Sequence, residues 1–170
     1  MRSEIRIGHG YDLHRLEPRP PAGRGRPLVL GGLRLDHDRG PVAHSDGDAL
    51  YHAVTDAILG ALALPDIGQL FPDNDAGNES RNSEEFLAAA CAKVAEAGWR
   101  VVNVDASVIL EKPKLAPHKE AMRSNIARVL GIEEDRVNIK GKTHEKVDSI
   151  GEGRAIEVHV VALLEKQEEE

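Results

Sequence analysis

The sequence predicts an α/β sandwich: a mixed sheet of about four main strands with helices packed on one face, plus a small hairpin. Strand-like and helix-like segments alternate along the 170 residues, a length typical of one domain. Neither an internal repeat nor a break in composition marks a second domain. We therefore expect a single domain over residues 1–170, ending in a solvated acidic tail from about residue 165.

The predicted strands are apolar or alternating segments. They cover residues 3–14, the two arms of a hairpin at 28–36, and residues 100–110, 136–143 and 155–166. Gly31 and Gly32 supply the hairpin turn. Residues 16–27 are rich in Pro, Gly and Arg without periodicity, which predicts a loop.

The predicted helices are delimited by capping residues and glycines. They run from about Asp46–Asp48 to Leu62, from residue 83 to Gly98, and from Pro117 to Gly131. Ser45 or Asp46 is the expected cap of the first helix, and Asn82 with Glu85 caps the second. The polar segment at 65–82, punctuated by Pro and Gly, predicts a long loop of the kind that is usually functional.

Composition narrows the class of protein. A net charge of −7 argues against nucleic acid as the main partner, and no apolar run is long enough to span a membrane. The N-terminus lacks a secretory signal and one cysteine fits a reducing compartment, so we expect a cytoplasmic protein. Aromatic residues make up only 3% of the chain, which favours burial through assembly with other copies.

A metal site is predicted from the segment "IGHGYDLHRL". Asp12 and His14 lie two residues apart, so on a strand both side chains point to one face. With His52 from the apolar first helix they give three ligands and one open position, the pattern of a catalytic zinc site. The alternative is a salt-bridged pair at a strand end. Gly8 and Gly10 are expected to let the strand bend past the metal.

The first helix also carries carboxylates beside the proposed ligand. Asp48 and Asp56 lie one turn on either side of His52, so either could orient its ring. The alternative is a solvated polar helix face.

Two further segments carry polar chemistry. In "KGKTHEK" (140–146), Glu145 offers an oxygen ligand to Mg²⁺, and Lys140 and Lys142 supply positive charge. The segment "EKPKLAPHK" (111–119) leads into a helix whose N-terminal amides could bind an anion or a base edge. A charged strand end and a rigid connection are the respective alternatives.

Six segments occur together in one order: "IGHGYDLHRL", "LGG", "AHSDGDALYHAVTDAILGAL", "DIGQLFPD", "PKLAPH" and "KTHEK". Their combination resembles the 2-C-methyl-D-erythritol 2,4-cyclodiphosphate synthase family of the non-mevalonate isoprenoid pathway, from about residue 5 to residue 164. The resemblance implies a cyclase that converts 4-diphosphocytidyl-2-C-methyl-D-erythritol 2-phosphate to the 2,4-cyclodiphosphate and releases CMP. It also implies a homotrimer with active sites between subunits.

The resemblance assigns roles residue by residue. It implies one Zn²⁺ per subunit on Asp12, His14 and His52, a second divalent cation (Mg²⁺ or Mn²⁺) on Glu145, and catalytic roles for Thr143 and Glu145. The implied substrate-binding residues are Asp12, His14, His44, Ser45, Asp66, Ile67, Gly68, Phe71, Pro72, Asp73, Asn74, Asp75, Lys114, Leu115, Ala116, Lys142, Thr143 and His144. Within this set, residues 114–116 hold the cytidine from the neighbouring subunit.

The sequence departs from the commoner family pattern near its C-terminal end. The loop "VDSIGEGRA" has Ser149 and Glu152 near the places where some members carry an aromatic residue and an arginine that line an axial cavity. Lys142 and His144 stand where hydroxyl residues are frequent.

Two other functions remain open at this stage: a zinc-dependent phosphohydrolase, and a non-catalytic trimeric module with a structural zinc.

Overall fold

A computed structural model describes residues 4–72 and 80–167 of the chain. The strands are β1 (Ile5–Pro18), β2 (Leu28–Leu30), β3 (Leu33–Leu35), β4 (Arg39–Pro41), β5 (Trp99–Ile109), β6 (Val137–Lys142) and β7 (Ala155–Lys166). The α-helices are α1 (Ala49–Ala61), α2 (Ile67–Leu70), α3 (Ser83–Glu96), α4 (Lys119–Leu130) and α5 (Asp148–Gly151), and 3₁₀ turns lie at Ala116–His118 and Glu134–Arg136.

The main sheet is mixed and has five strands in the order β4-β1-β7-β5-β6. Strand β7 pairs antiparallel with β1 and β5, whereas β5 and β6 are parallel. Strands β2 and β3 form the separate hairpin. The predicted mixed α/β class, its four main strands and the hairpin are therefore confirmed, with the short β4 as an additional edge strand.

The helix α1 is the centre of the core and packs against β1 and β7. Its alanines at four-residue spacing, Ala53, Ala57 and Ala61, face the strand at Gly8 and Gly10. A Cβ atom at Gly8 would lie 1.8 Å from the carbonyl oxygen of Ala57. Both glycines keep regular pairing with β7, so they do not bend the strand past a metal as predicted. They allow the helix backbone to contact the strand backbone.

The opposite face of the sheet carries exposed apolar side chains. Ile5, Ile7, Tyr11 and Leu13 of β1 and Val161 of β7 are between 46% and 68% exposed. They occupy the odd-numbered positions of these strands, because successive side chains of a strand point to opposite faces.

Among the described helices, none is long and apolar enough to cross a membrane.

Several predicted boundaries differ from the structure. Asp48, rather than Ser45 or Asp46, caps α1, and it accepts hydrogen bonds from the amides of Leu50 and Tyr51. Asn82 caps α3 as predicted, but the carboxylate of Glu85 pairs with Arg81 instead of closing a capping box.

Other differences concern segments predicted as irregular. Strand β1 continues to Pro18, because Leu16–Pro18 pairs with β4. The loop predicted at 65–82 contains α2, which is closed by a capping box between Asp66 and Gln69. Residues 165 and 166 of the predicted tail belong to β7, where they pair with β1 and β5.

Candidate functional site

Three side chains converge where β1 faces the N-terminal half of α1. The Oδ2 atom of Asp12 lies 3.0 Å from Nε2 of His14 and 3.1 Å from Nδ1 of His52. The two histidine nitrogens lie 3.3 Å apart. Asp12 and His14 share a face because they are two residues apart on β1, and the Gly8 and Gly10 contacts bring α1 close enough for His52 to reach them.

The charge distribution of this cluster suits a cation. Burial raises the pKa of the Asp12 carboxyl, but hydrogen bonds with His14 and His52 outweigh burial and hold the pKa well below its usual range. Burial lowers the pKa of His52, but the hydrogen bond and charge of Asp12 outweigh it and raise the pKa above its usual range. A proton and a metal ion therefore compete for the same atoms.

The donor set fits a zinc ion. Ligand atoms about 2.0–2.2 Å from a tetrahedral Zn²⁺ lie roughly 3.3–3.6 Å from one another. The observed separations of 3.0, 3.1 and 3.3 Å reach the lower end of that range or fall about 0.3 Å below it, so a small outward shift of the side chains accommodates the ion. Two imidazole nitrogens and one carboxylate oxygen leave the fourth position to water or substrate, as in catalytic zinc sites.

Two serine hydroxyls hold the far side of the His52 ring, and a carboxylate holds one of these hydroxyls. Its Nε2 lies 2.8 Å from Oγ of Ser83 and 3.3 Å from Oγ of Ser45. The Ser83 hydroxyl in turn donates to Asp46. This chain orients the ring so that Nδ1 points towards Asp12 and His14.

The carboxylates predicted to orient His52 have other partners. Asp48 is fully buried and accepts hydrogen bonds from the amides of Gly31 and Gly32, which ties the hairpin to α1. Asp56 accepts from the amide of Ile67 at 2.8 Å. The hydrogen bonds of both carboxylates therefore go to backbone amides, which a buried setting must satisfy, rather than to the ring of His52.

The three convergent side chains open into a cavity of about 320 Å³. Among the predicted site residues its walls contain Asp12, His14, His44, Ser45, His52, Ile67, Gly68 and Phe71. Phe86 also lines it, with its ring 4.5 Å from that of Phe71 and 6.1 Å from that of His52. The cavity is therefore lined by the three convergent polar side chains on one part of its wall and by two aromatic rings on another.

The remaining predicted residues of the 65–82 segment lie beside this cavity or outside the described residues. Asp66 caps α2, with Oδ1 accepting from the amide of Gln69 at 2.9 Å. Pro72 follows α2. Asp73, Asn74 and Asp75 lie outside the described residues.

A second cavity of about 210 Å³ lies between the segment after β5 and the end of β6. Lys114, Leu115, Ala116, Lys142 and Thr143 are among its lining residues. It shares no lining residue with the first cavity. Within one chain, the predicted site residues therefore fall into two separate groups.

The turn after β6 carries the other predicted residues. The Thr143 hydroxyl donates to Oε1 of Glu145 at 3.1 Å, and Nδ1 of His144 lies 2.9 Å from a carboxylate oxygen of Asp148. Glu145 has a φ of 50°, a left-handed conformation that is uncommon outside glycine. This backbone turns the carboxylate back towards Thr143.

Sequence reasoning missed three residues of the first cavity and its supports: Asp46, Ser83 and Phe86. Ser83 reaches His52 across 31 positions of sequence, a tertiary contact without a local pattern. Asp46 also accepts from the amide of Ser83 at 3.0 Å. The "HSDGD" run was a signal for Asp46, but it was interpreted as helix capping.

Known proteins are similar to this chain over most of its length. A 2-C-methyl-D-erythritol 2,4-cyclodiphosphate synthase of Chromobacterium violaceum is 53% identical over 160 residues, covering 94% of this chain and 98% of the relative. The chloroplastic synthase of Arabidopsis thaliana is 55% identical over 163 residues, which cover 96% of this chain and 68% of that protein.

Solved structures agree with the fold. The CDP complex of IspF from Plasmodium falciparum matches with a TM-score of 0.84 and 38% identity, covering 99% of this chain and 100% of the other. The bifunctional IspDF of Campylobacter jejuni matches with a TM-score of 0.89 and 42% identity over 97% of this chain and 43% of the other. The profile of the YgbB family matches residues 5–165, and this chain belongs to that family, with the 2-C-methyl-D-erythritol 2,4-cyclodiphosphate synthases as its relatives.

Proposed function

We propose that this chain is a metal-dependent cyclase. It converts 4-diphosphocytidyl-2-C-methyl-D-erythritol 2-phosphate to 2-C-methyl-D-erythritol 2,4-cyclodiphosphate and releases CMP, a phosphorus–oxygen lyase reaction. The observation that carries the proposal is the open three-ligand centre of Asp12, His14 and His52 at the wall of a cavity, in a chain of the YgbB family. Residues 1–170 act as one domain.

Two cations complete the site. Asp12, His14 and His52 hold one Zn²⁺ per subunit, and the carboxylate of Glu145 is an oxygen ligand for Mg²⁺ or Mn²⁺. When bound, these ions supply Lewis-acid neutralisation and a template for the two phosphates. Binding and positioning of the substrate are the task of the protein's own side chains and amides.

The first cavity binds the methylerythritol end of the substrate. His44 and Ser45 contact phosphate, while the α2 segment (Asp66, Ile67, Gly68) with Phe71 and Pro72 covers the methylerythritol. The same role is proposed for Asp73, Asn74 and Asp75. Support comes from the wall of the cavity, which contains the polar residues His44 and Ser45 together with Phe71 and residues of α2.

The second cavity binds the cytidine end. Lys114, Leu115 and Ala116 hold the base and ribose, and Lys142, Thr143 and His144 contact the diphosphate. Support comes from the mixed lining of this cavity, which contains three lysines and the hydroxyl of Thr143 together with Leu110 and Leu115.

The two cavities belong to one active site only when chains assemble. Because they share no lining residue within one chain, a substrate spanning both is served best by two neighbouring subunits. We therefore propose a homotrimer whose active sites lie between subunits. The exposed apolar face of β1 and β7 supplies surface for such an assembly.

The reaction needs positioning more than covalent chemistry. A 2-phosphate oxygen attacks the β-phosphorus, the bond from that phosphorus to the CMP oxygen breaks, and CMP leaves with the electron pair. Two anionic groups must meet in line, so bringing them together and neutralising them accounts for most of the rate. Lys114 and Lys142 supply local positive charge in a chain whose net charge is −7.

A hydrolase could use the same open metal position with water as the nucleophile. One assay separates the two reactions: incubation with the substrate and analysis of the products. CMP together with cyclic diphosphate supports the cyclase, whereas free phosphate without cyclic product supports a zinc-dependent phosphohydrolase. Absence of both products under metal-replete conditions would favour a non-catalytic module.

Variants of the metal centre test the assignment of ligands. His52→Ala and Asp12→Asn are expected to abolish CMP release and lower the bound zinc, because an open three-ligand site holds metal poorly with two. His37→Ala, a histidine outside both cavities, is the matched control. Full zinc content with near-normal turnover in either ligand variant would refute the assignment.

Subunit mixing tests the shared site. Lys114→Glu removes the cytidine side and His14→Ala removes the metal side, so each variant alone is expected to be inactive. Mixed under conditions of subunit exchange, the two variants regenerate some intact sites and recover part of the activity. No recovery despite demonstrated exchange would mean that each chain is complete by itself.

A further inference from the structure

Arg81 contacts the aromatic wall of the first cavity without being one of the described residues that line it. Its guanidinium carbon lies 5.5 Å from the ring centre of Phe71 and 5.4 Å from that of Phe86. The two rings line the cavity with their centres 4.5 Å apart. A guanidinium within about 6 Å of a ring centre is attracted to the face of the ring, so one cation contacts both aromatic side chains.

The guanidinium is oriented by contacts of its own chain segment. Nε of Arg81 donates to Oε2 of Glu85 at 2.7 Å. The carbonyl oxygen of Arg81 accepts from the amide of Asp46 at 3.1 Å, and the amide of Ser80 donates to the carbonyl of His44 at 2.7 Å. These two backbone bonds tie residues 80–81 to the 44–46 segment. An ion pair as exposed as that with Glu85 adds little stability, so its main effect here is to orient the guanidinium.

Phe71 depends on such a contact more than Phe86 does. Phe86 is 4% exposed and belongs to α3, a helix of 14 residues. Phe71 is half-buried and ends α2, a helix of four residues without a buried side chain. The start of α2 is tied to α1 by the hydrogen bond from the amide of Ile67 to Asp56 at 2.8 Å. Its end is held against α3 by the contacts of Phe71 with Phe86 and Arg81.

We infer that Arg81 is a positioning residue for the ligand of the first cavity. It holds the ring of Phe71 against that of Phe86 and so keeps the aromatic wall in place for the methylerythritol end of the substrate. The inference rests on the proposed function. The contact lies among the helices, where α3 packs on α1, and the exposed apolar face of β1 and β7 is on the other side of the sheet. It is therefore compatible with the proposed assembly.

The expected effect is on binding rather than on the chemical step. The aromatic wall contacts carbon atoms of the methylerythritol, which change little between the ground state and the transition state, so its loss raises KM and leaves kcat. The side chain of Arg81 is 33% exposed. Two cation–π contacts at a partly exposed position correspond to about 5–30-fold in affinity.

Steady-state kinetics and calorimetric titration test the inference. Arg81→Gln is expected to raise KM about 5–30-fold with kcat within about two-fold, and to weaken binding of the cyclic diphosphate product by the same factor as KM. The affinity for CMP, assigned to the second cavity, and the zinc content are expected to stay unchanged. Arg81→Lys keeps the cation and is expected to recover part of the loss. Arg24→Gln is the matched control, an exposed arginine that pairs with Glu17 and is not among the described residues lining either cavity.

A double-mutant cycle tests the contact without any ligand. The Tm values of Arg81→Gln, Phe71→Leu and the double variant are measured by circular dichroism. If the guanidinium and the ring hold each other, the double variant melts about 2 °C or more above the value that the two single losses predict by addition. The cycle also separates the inference from the proposed function. A metal-replete chain that releases no CMP refutes the function, and the cycle still decides whether Arg81 holds Phe71.

Three results would overturn the inference. The first is a KM and a product affinity of Arg81→Gln equal to those of Arg24→Gln, which would mean that the wall keeps its place without the cation. The second is a loss of product and CMP affinity by the same factor, which would indicate a general disturbance of the fold. The third is strict additivity of the Tm losses, which would mean that the guanidinium and the ring are neighbours without holding each other.

Discussion

Replacing Gly10 by alanine tests the contact that brings α1 to β1. The added Cβ would lie 1.8 Å from the carbonyl oxygen of Ala53 and 2.7 Å from the amide nitrogen of Ala57. Both atoms belong to helix backbone, so no change of rotamer relieves the overlap. Cβ contacts under 3.0 Å essentially never occur, so the helix must move away from the strand by more than an ångström.

This displacement determines how much the Gly10→Ala substitution lowers the free energy of unfolding. Overpacking a core costs about 1–3 kcal/mol, and a clash with rigid backbone belongs at the upper end. For a chain of this size each kcal/mol lowers Tm by about 2–4 °C, so a loss of about 3 kcal/mol corresponds to about 6–12 °C. The same movement separates His52 on α1 from Asp12 on β1, whose ligand atoms now lie 3.1 Å apart.

Thermal unfolding followed by circular dichroism measures the change in Tm, and a zinc titration in parallel measures the change in zinc affinity. Gly60→Ala is the matched control: it lies on the same helix, and its Cβ would come no nearer than 3.9 Å to the backbone of His9. The control is expected to be neutral or stabilised by up to about 1 kcal/mol. The reasoning fails if Gly10→Ala melts within a degree or two of Gly60→Ala and binds zinc as tightly.

Three further predictions concern single side chains. Ser83→Ala removes the hydroxyl that holds Nε2 of His52, and a zinc competition titration should show affinity about 10–100-fold lower, with Ser124→Ala unchanged. Glu145→Gln should retain zinc but lose most CMP release, with partial rescue by raised Mg²⁺ or Mn²⁺; unchanged metal dependence would contradict its role as a ligand. Burial raises the pKa of the Cys91 thiol to about 12, so labelling by a thiol reagent at pH 8 should be far slower than for a free thiol until denaturant is added. Labelling of the native protein at the rate of free cysteine would contradict the burial of the Cys91 thiol.

The strands that could be predicted are those whose burial alternates with sequence. Residues 155–166 were predicted as a strand and form β7 with the same bounds, because Val158, Val160, Ala162 and Leu164 are buried on one face. The short β4 has no such pattern. Arg39–Pro41 is a strand only because it pairs with the end of β1, a contact that local sequence does not encode.

The convergence of the proposed metal ligands was predictable because it follows from two periodicities. A two-residue spacing placed Asp12 and His14 on one face of β1, and an apolar helix placed His52 in the core. The support of His52 was not predictable in the same way. Helical spacing favoured Asp48 and Asp56 as the residues that orient His52. In the structure, backbone amides hydrogen-bond to both carboxylates. The ring is held instead by Ser83, which belongs to another helix.

The inward-facing positions of β1 explain why two glycines precede the proposed metal ligands. Four successive ones are Gly8, Gly10, Asp12 and His14, and glycine is a poor residue for a strand interior. Without side chains at the first two positions, the helix backbone rests directly on the strand. Only at that short distance can the single methylene of Asp12 bring its carboxylate to His52. The ligands are thus fixed by a backbone contact between two regular elements, which holds their geometry more tightly than loops do.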